Sequence, residues 1–208
     1  MTLTHLVGAV GVLALQSAAV HAQGSERDSV VYVLSPTSRF EVKTGKGGLF
    51  GFAGHDHVIR ARTVSGRVVY YPSLPESSRV EITVPTDSLE VLTPPDTAEI
   101  RKVTQSMRTE VLHVDQYAVI NFVSTTVAPI SDRFRVQGRL TIVGVTREVA
   151  ADFGVQVGTD TLRATGNFSV KQTDFGIRPY RGGPAGTVRV ADRVTFEIEA
   201  IAIRAPDP

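Results

Sequence analysis

The chain of 208 residues contains no cysteine. That absence removes disulfides, thiolate metal ligands, cysteine nucleophiles and acylation of an N-terminal lipoprotein cysteine. What holds the chain together must therefore be a buried core, and a chain of this length can bury one. A large excess of one charge is also missing: 22 Lys and Arg stand against 21 Asp and Glu, a formal charge of +1. Such a balance gives no electrostatic drive toward nucleic acid or anionic membranes, so no nucleic-acid partner is expected. Long hydrophobic runs are absent too. Leu6–Leu15 is apolar but too short to span a bilayer. Small residues follow it, and Val20-His21-Ala22 fits the small-x-small pattern of a signal-peptidase site. No Lys or Arg precedes the run, which leaves an uncleaved N-terminal anchor as the alternative. The expectation is a signal peptide over 1–22, cleavage after Ala22, and one periplasmic or secreted domain over 23–208. The common catalytic signatures are also missing: no Gly-x-Ser-x-Gly elbow, phosphate loop, Gly-x-Gly-x-x-Gly fingerprint or His-Glu-x-x-His occurs.

What the chain does contain is alternation. Phe134, Val136, Leu140 and Ile142 fall on one parity, and Arg133, Arg135, Gln137, Arg139 and Thr141 on the other. After a turn at Gly144-Val145-Thr146-Arg147, Val149, Ala151, Phe153, Val155 and Val157 repeat the pattern. A period of two describes strands with one dry and one wet face. Further strands are expected at 29–34, 38–43, 58–71 (with a bend at Gly66), 80–84, 119–127, 162–171 and 194–203. Asp96 to Leu112 is the one helical candidate, with Ile100, Val103, Met107 and Val111 on one stripe and Asp96 with Glu99 as a capping box.

About eight strands and one short helix predict an all-β fold: an eight-stranded antiparallel barrel, with the helix covering an end or side. Barrels of this size are filled by side chains or hold one slender ligand, and the alternation fits either. The apolar parity of the strands, with Met107 from the helix stripe, supplies the candidate lining: Phe40, Val42, Val80, Ile82, Val84, Met107, Ile120, Phe122, Phe134, Val136, Leu140, Ile142, Phe153, Phe168 and Phe196. Gly138, Ala151, Ala164, Gly166 and Ala200 share that parity and are expected to leave volume along the axis. The glycine-rich Gly45–Gly54 segment and the Arg178–Gly186 loop are candidate rims.

Several segments, in order, resemble a known family. Gly138-Arg139-Leu140-Thr141-Ile142-Val143-Gly144-Val145-Thr146-Arg147-Glu148-Val149 resembles the "G-x-L-T-I-x-G-V-T-[KR]-x-V" hairpin of the YceI-like, polyisoprenoid-binding proteins. Phe168 to Ile177 resembles their "F-x-I-x-R-x-D-F-G-I" segment. Val111 to Phe122 resembles "F-x-x-x-x-Y-P-x-I-x-F", with Ala118 where proline is usual. The resemblance runs from about Val31 to Ile203. It implies a lipocalin-like barrel that takes an amphipathic isoprenoid lipid, such as a quinone or polyprenol, for transport or storage. The accompanying expectations are a bound lipid rather than a cofactor, no catalysis, and transient membrane contact.

His55 and His57 lie two apart, so on an extended segment both face one way. They are expected at the headgroup or mouth. The alternative is a metal-binding module or metal-dependent enzyme in which His55, His57 and His113 form the ligand set. The carboxylates Asp152, Glu197 and Glu199 read as solvated charge. Arg133, Arg135 and Arg139 read as a basic outer stripe that Glu197 and Glu199 could offset on a neighbouring strand.

Overall fold

The computed structural model describes residues 28–46, 56–92, 97–182 and 188–206. The signal segment, His55, Asp96 as helix cap, residues 47–54 of the first candidate rim and 183–186 of the second lie outside the described residues. The strands are β1 (Val30–Leu34), β2 (Arg39–Lys46), β3 (His57–Ala61), β4 (Ser65–Tyr70), β5 (Arg79–Pro85) and β6 (Leu89–Val91). After helix α1 (Thr97–Ser106) come β7 (Val119–Ile130), β8 (Arg133–Ile142), β9 (Val145–Val157), β10 (Thr161–Lys171), the short β11 (Arg181–Gly182) and β12 (Val188–Arg204).

Six of these are three strands, each broken once. Both β1 and β2 run antiparallel to β12; β1 pairs with β4 as β2 pairs with β3, and β4 pairs with β5 as β3 pairs with β6. Joined across their breaks, they make three strands that continue through β7, β8, β9, β10 and β12, each beside its neighbour in sequence. Pairing of β1 with β12 closes the ring, so the architecture is a closed eight-stranded antiparallel barrel. Closure removes the exposed sheet edges that an open meander would leave.

The breaks fall at 35–38, 62–64 and 86–88, and polar groups repair the ladder there. At the first, Ile201 N–H donates to Ser38 Oγ (3.0 Å), and that hydroxyl donates to Ile201 O (2.9 Å), so a serine stands in for backbone. At the second and third, Arg62 N–H donates to Ser88 O (3.0 Å), while Thr86 Oγ1 donates to Tyr117 O (2.7 Å). The bend expected at Gly66 therefore lies at 62–64. Gly66 instead sits within β4, where a Cβ would come 2.4 Å from Glu81 O and 2.8 Å from Ile82 Cδ1.

The β8–β9 hairpin turns on Val143 and Gly144, with φ of 43° and 74°. Two central residues at positive φ describe the tight turn whose twist matches the flanking strands. It lies one residue earlier and is shorter than the alternation predicted, because Ile142 and Val145 already pair. The helix starts at Thr97, and Ser106 leads into a π-helical turn, Met107–Val111, closed by Leu112 N–H on Met107 O (2.9 Å). Val103, Met107 and Val111 of the expected stripe pack against the core. This helical segment lies beside β6, which pairs only with β3 among the described residues. Arg108 Nη2 caps that free edge, donating to Asp87 O (2.6 Å) and Leu89 O (3.1 Å).

Candidate functional site

The inward parity encloses a cavity of about 280 Å³. Its wall draws on two buried clusters at opposite ends of the barrel, so it runs along the axis. At the α1 end stand Leu89, Met107, Leu112, Phe175 and Ile177. At the far end Tyr32 is buried and its hydroxyl donates to Gly158 O (3.2 Å), tying β1 to the β9–β10 turn and forming a floor.

All fifteen candidate lining residues, fourteen read from strand parity and Met107 from the helix stripe, stand on the cavity wall. Most of the large ones, including Phe40, Phe122, Phe134, Phe153, Phe168 and Phe196, are only half-buried although they point inward. In a filled core such rings would be fully enclosed; here one side of each faces open space. Phe168 and Phe196 are paired across β10 and β12 and stack at 4.8 Å with planes 4° apart. Phe134 and Phe153 face each other across β8 and β9.

The inward glycines do not provide volume in the way their size predicts. A Cβ on Gly138 would come 2.6 Å from the Phe122 ring, and one on Gly166 would come 2.6 Å from the Phe153 ring. Each glycine is a seat for an aromatic ring, which lies back on the wall instead of standing into the lumen. The alanines do provide volume: Ala164 and Ala200 are directly paired, Leu162 pairs with Ala202, and all four line the cavity.

Parity extended one step further along β2 would also have reached Thr44, an inward polar residue beyond the expected strand end. Its cross-strand partner in β3 is His57. Paired residues of an antiparallel ladder share a face, so His57 begins the inward row continued by Ile59 and Ala61, which line the cavity. Gln172, on the parity of Phe168 and Val170 but one residue past the end of β10, is another polar wall residue. Its Nε2 donates to Ala191 O (2.8 Å) at the start of the turn that carries Phe175. No three His, Asp or Glu gather to hold a metal among the described residues. His113 lies in the exposed turn after the π-helical segment, at φ 47°.

The outer face is zipped by charge. Glu197 and Glu199 pair with Lys43 (2.7 Å) and Arg39 on β2, not with the β8 arginines, because barrel closure places β2 beside β12. Arg135 is instead matched by Asp152, directly opposite on β9, with bonds of 2.8 and 2.9 Å. The hydrogen bond from Arg135 holds the Asp152 carboxyl below the ordinary carboxylate value. Asp192 is lowered chiefly by Thr173 N–H (2.9 Å), with the Thr173 hydroxyl (2.8 Å) adding to it. A carboxyl whose folded pKa lies below its unfolded one stabilises fully above the unfolded value, and that contribution fades as pH falls through the folded value. Asp192→Asn should therefore cause a small loss of melting temperature near neutral pH that disappears in acid. Thermal melts of both proteins across the carboxylate range check this.

An antiparallel barrel with an axial, almost wholly apolar cavity and one helix against an edge defines a lipocalin-like, ligand-enclosing class. A family model for the YceI-like domain matches residues 34–202, and the chain belongs to that family. Comparison with curated proteins returned no match. Among solved structures the chain is similar to Burkholderia cenocepacia BcnA (TM-score 0.64, 19% identity, 81% of this chain and 98% of that one). It is also similar to a polyisoprenoid binding domain from Saccharophagus degradans implicated in plant cell wall breakdown (0.59, 12%, 84% and 98%). A Campylobacter jejuni YCEI protein superposes at 0.55, with 17% identity over 71% of this chain and 85% of that one. At these identities the likeness establishes the shared fold.

Proposed function

We propose that this barrel is exported and holds the isoprenoid tail of an amphipathic lipid, of quinone or polyprenol type, for transport or storage, performing no chemistry on it. The observation that carries this is the ring of half-buried aromatic and aliphatic side chains facing an axial cavity. A slender branched hydrocarbon matches such a wall, and burying roughly 600 Å² of it at about 25 cal/mol/Å² supplies on the order of 15 kcal/mol gross. Ordering the tail consumes much of that, which leaves useful affinity without a charged anchor. The polyisoprenoid binding of the Saccharophagus domain, which shares this fold, supports the same ligand class. Exchange with a bilayer calls for brief apolar contact. Val33 and Ile203, outward cross-strand neighbours exposed to 49% and 47%, are surface suited to it.

Native mass spectrometry of the protein purified from its own host tests the proposal. A co-bound isoprenoid mass is expected on a mature chain beginning at Gln23. Repeated recovery of bare protein that also ignores added quinones and polyprenols would overturn it.

A further inference from the structure

The wall of the cavity is greasy except at a few points, and one of these is unresolved chemically. Thr44 is 8% exposed, lines the cavity, and its Oγ1 has no hydrogen-bond partner among the described residues. A buried hydroxyl without a partner is costly, and native proteins seldom keep one without a use. Its ladder neighbours are Val194 on β12 and His57 on β3, so Thr44 sits on the inward face near the α1 end, away from the Tyr32 floor. Phe168 and Phe196 stack on adjacent strands: Val42, two residues before Thr44, pairs with Phe196.

The charges on the wall narrow what this hydroxyl serves. No Lys or Arg contributes to the cavity among the described residues. The one charged contributor is Glu41, whose carboxylate accepts from Arg60 Nε (2.8 Å). A phosphate brought here would lose its water and find no cation among the described cavity residues, which is strongly unfavourable. A carbonyl or hydroxyl oxygen would gain a bond from a donor that has none to give up.

We infer that Thr44 Oγ1 anchors the uncharged, oxygen-bearing head of the ligand, so that the barrel selects a prenylquinone or prenyl alcohol over a prenyl phosphate. The head lies at the α1 end and the tail runs toward Tyr32. This rests on the carrier function proposed above, and the test separates the two. The lipid-free full chain, its Thr44→Val variant (same shape, no hydroxyl) and its Thr44→Ser variant are titrated with three probes of equal farnesyl length: farnesene, a farnesyl-bearing ubiquinone and farnesyl diphosphate. The wild type should bind the quinone about tenfold more tightly than farnesene, the scale of one well-made hydrogen bond, and the diphosphate least. Thr44→Val should level quinone and farnesene without weakening farnesene, and Thr44→Ser should keep the preference. Equal binding of quinone and farnesene by the wild type, an unchanged preference in Thr44→Val, or strongest binding of the diphosphate would each overturn the anchor while leaving the carrier standing. Failure of all three probes to bind the wild type would overturn both.

Discussion

Ala200→Phe should strip the protein of its lipid without unfolding it. Ala200 faces the lumen directly opposite Ala164, where inward alanines of β10 and β12 meet. A benzyl group placed there points into open space, so it meets little of the strain that accompanies enlargement in a packed core. Filling apolar space also restores contacts that a void forgoes, and the melting temperature should stay level or rise. The same ring blocks the axis between the Phe168–Phe196 stack and the floor, where an isoprenoid tail must pass. Native mass spectrometry should then show bare protein where the wild type carries lipid. A variant that folds normally and still co-purifies with lipid would place the ligand elsewhere.

Gly138→Ala should act in the opposite way, through the wall. Its Cβ would lie 2.5 Å from Val123 O, an oxygen fixed in the β7–β8 ladder, and 2.6 Å from the Phe122 ring. The ring can escape only by swinging off its seat and into the lumen; the carbonyl can escape only by bending the strand. Overpacking of this kind costs ~1–3 kcal/mol, and each kcal/mol lowers the melting temperature of a chain this size by roughly 2–4 °C. Lipid occupancy should fall with it. Gly154→Ala is the matched control, since its nearest neighbour, Thr165 Oγ1, would be 3.6 Å away. Melting temperatures that coincide for the two variants would contradict the seated-ring arrangement.

Alternation made the inward face legible because parity is a property of each strand alone. That is why residues as far apart as Phe40, Phe122 and Phe196 could be assigned to one surface before any pairing was known, and why all of them meet at the cavity. Properties that depend on which strands are neighbours were not legible. Glu197 and Glu199 find Lys43 and Arg39 only because the last strand closes against the second. The three-residue β6 is too short to show a period. The glycines misled for the same reason: whether an inward Gly138 leaves a gap or seats a ring depends on Phe122, which stands on another strand. Thr44 is not legible as an inward residue because a polar residue beside a glycine-rich stretch reads as the end of a strand, and only the ladder to Val194 and His57 shows that the strand continues through it.

The free edge of β6 beside α1 has a mechanical consequence. Elsewhere neighbouring staves are riveted by rows of backbone hydrogen bonds, and prising any two apart would break many of them together. Along this one seam, among the described residues, the fastening is the grease of Val103, Met107 and Val111 plus a single guanidinium, that of Arg108. Contacts of that sort loosen one at a time and re-form without register errors. Among the described residues this leaves the seam as the stretch of the enclosure held with the least cooperativity.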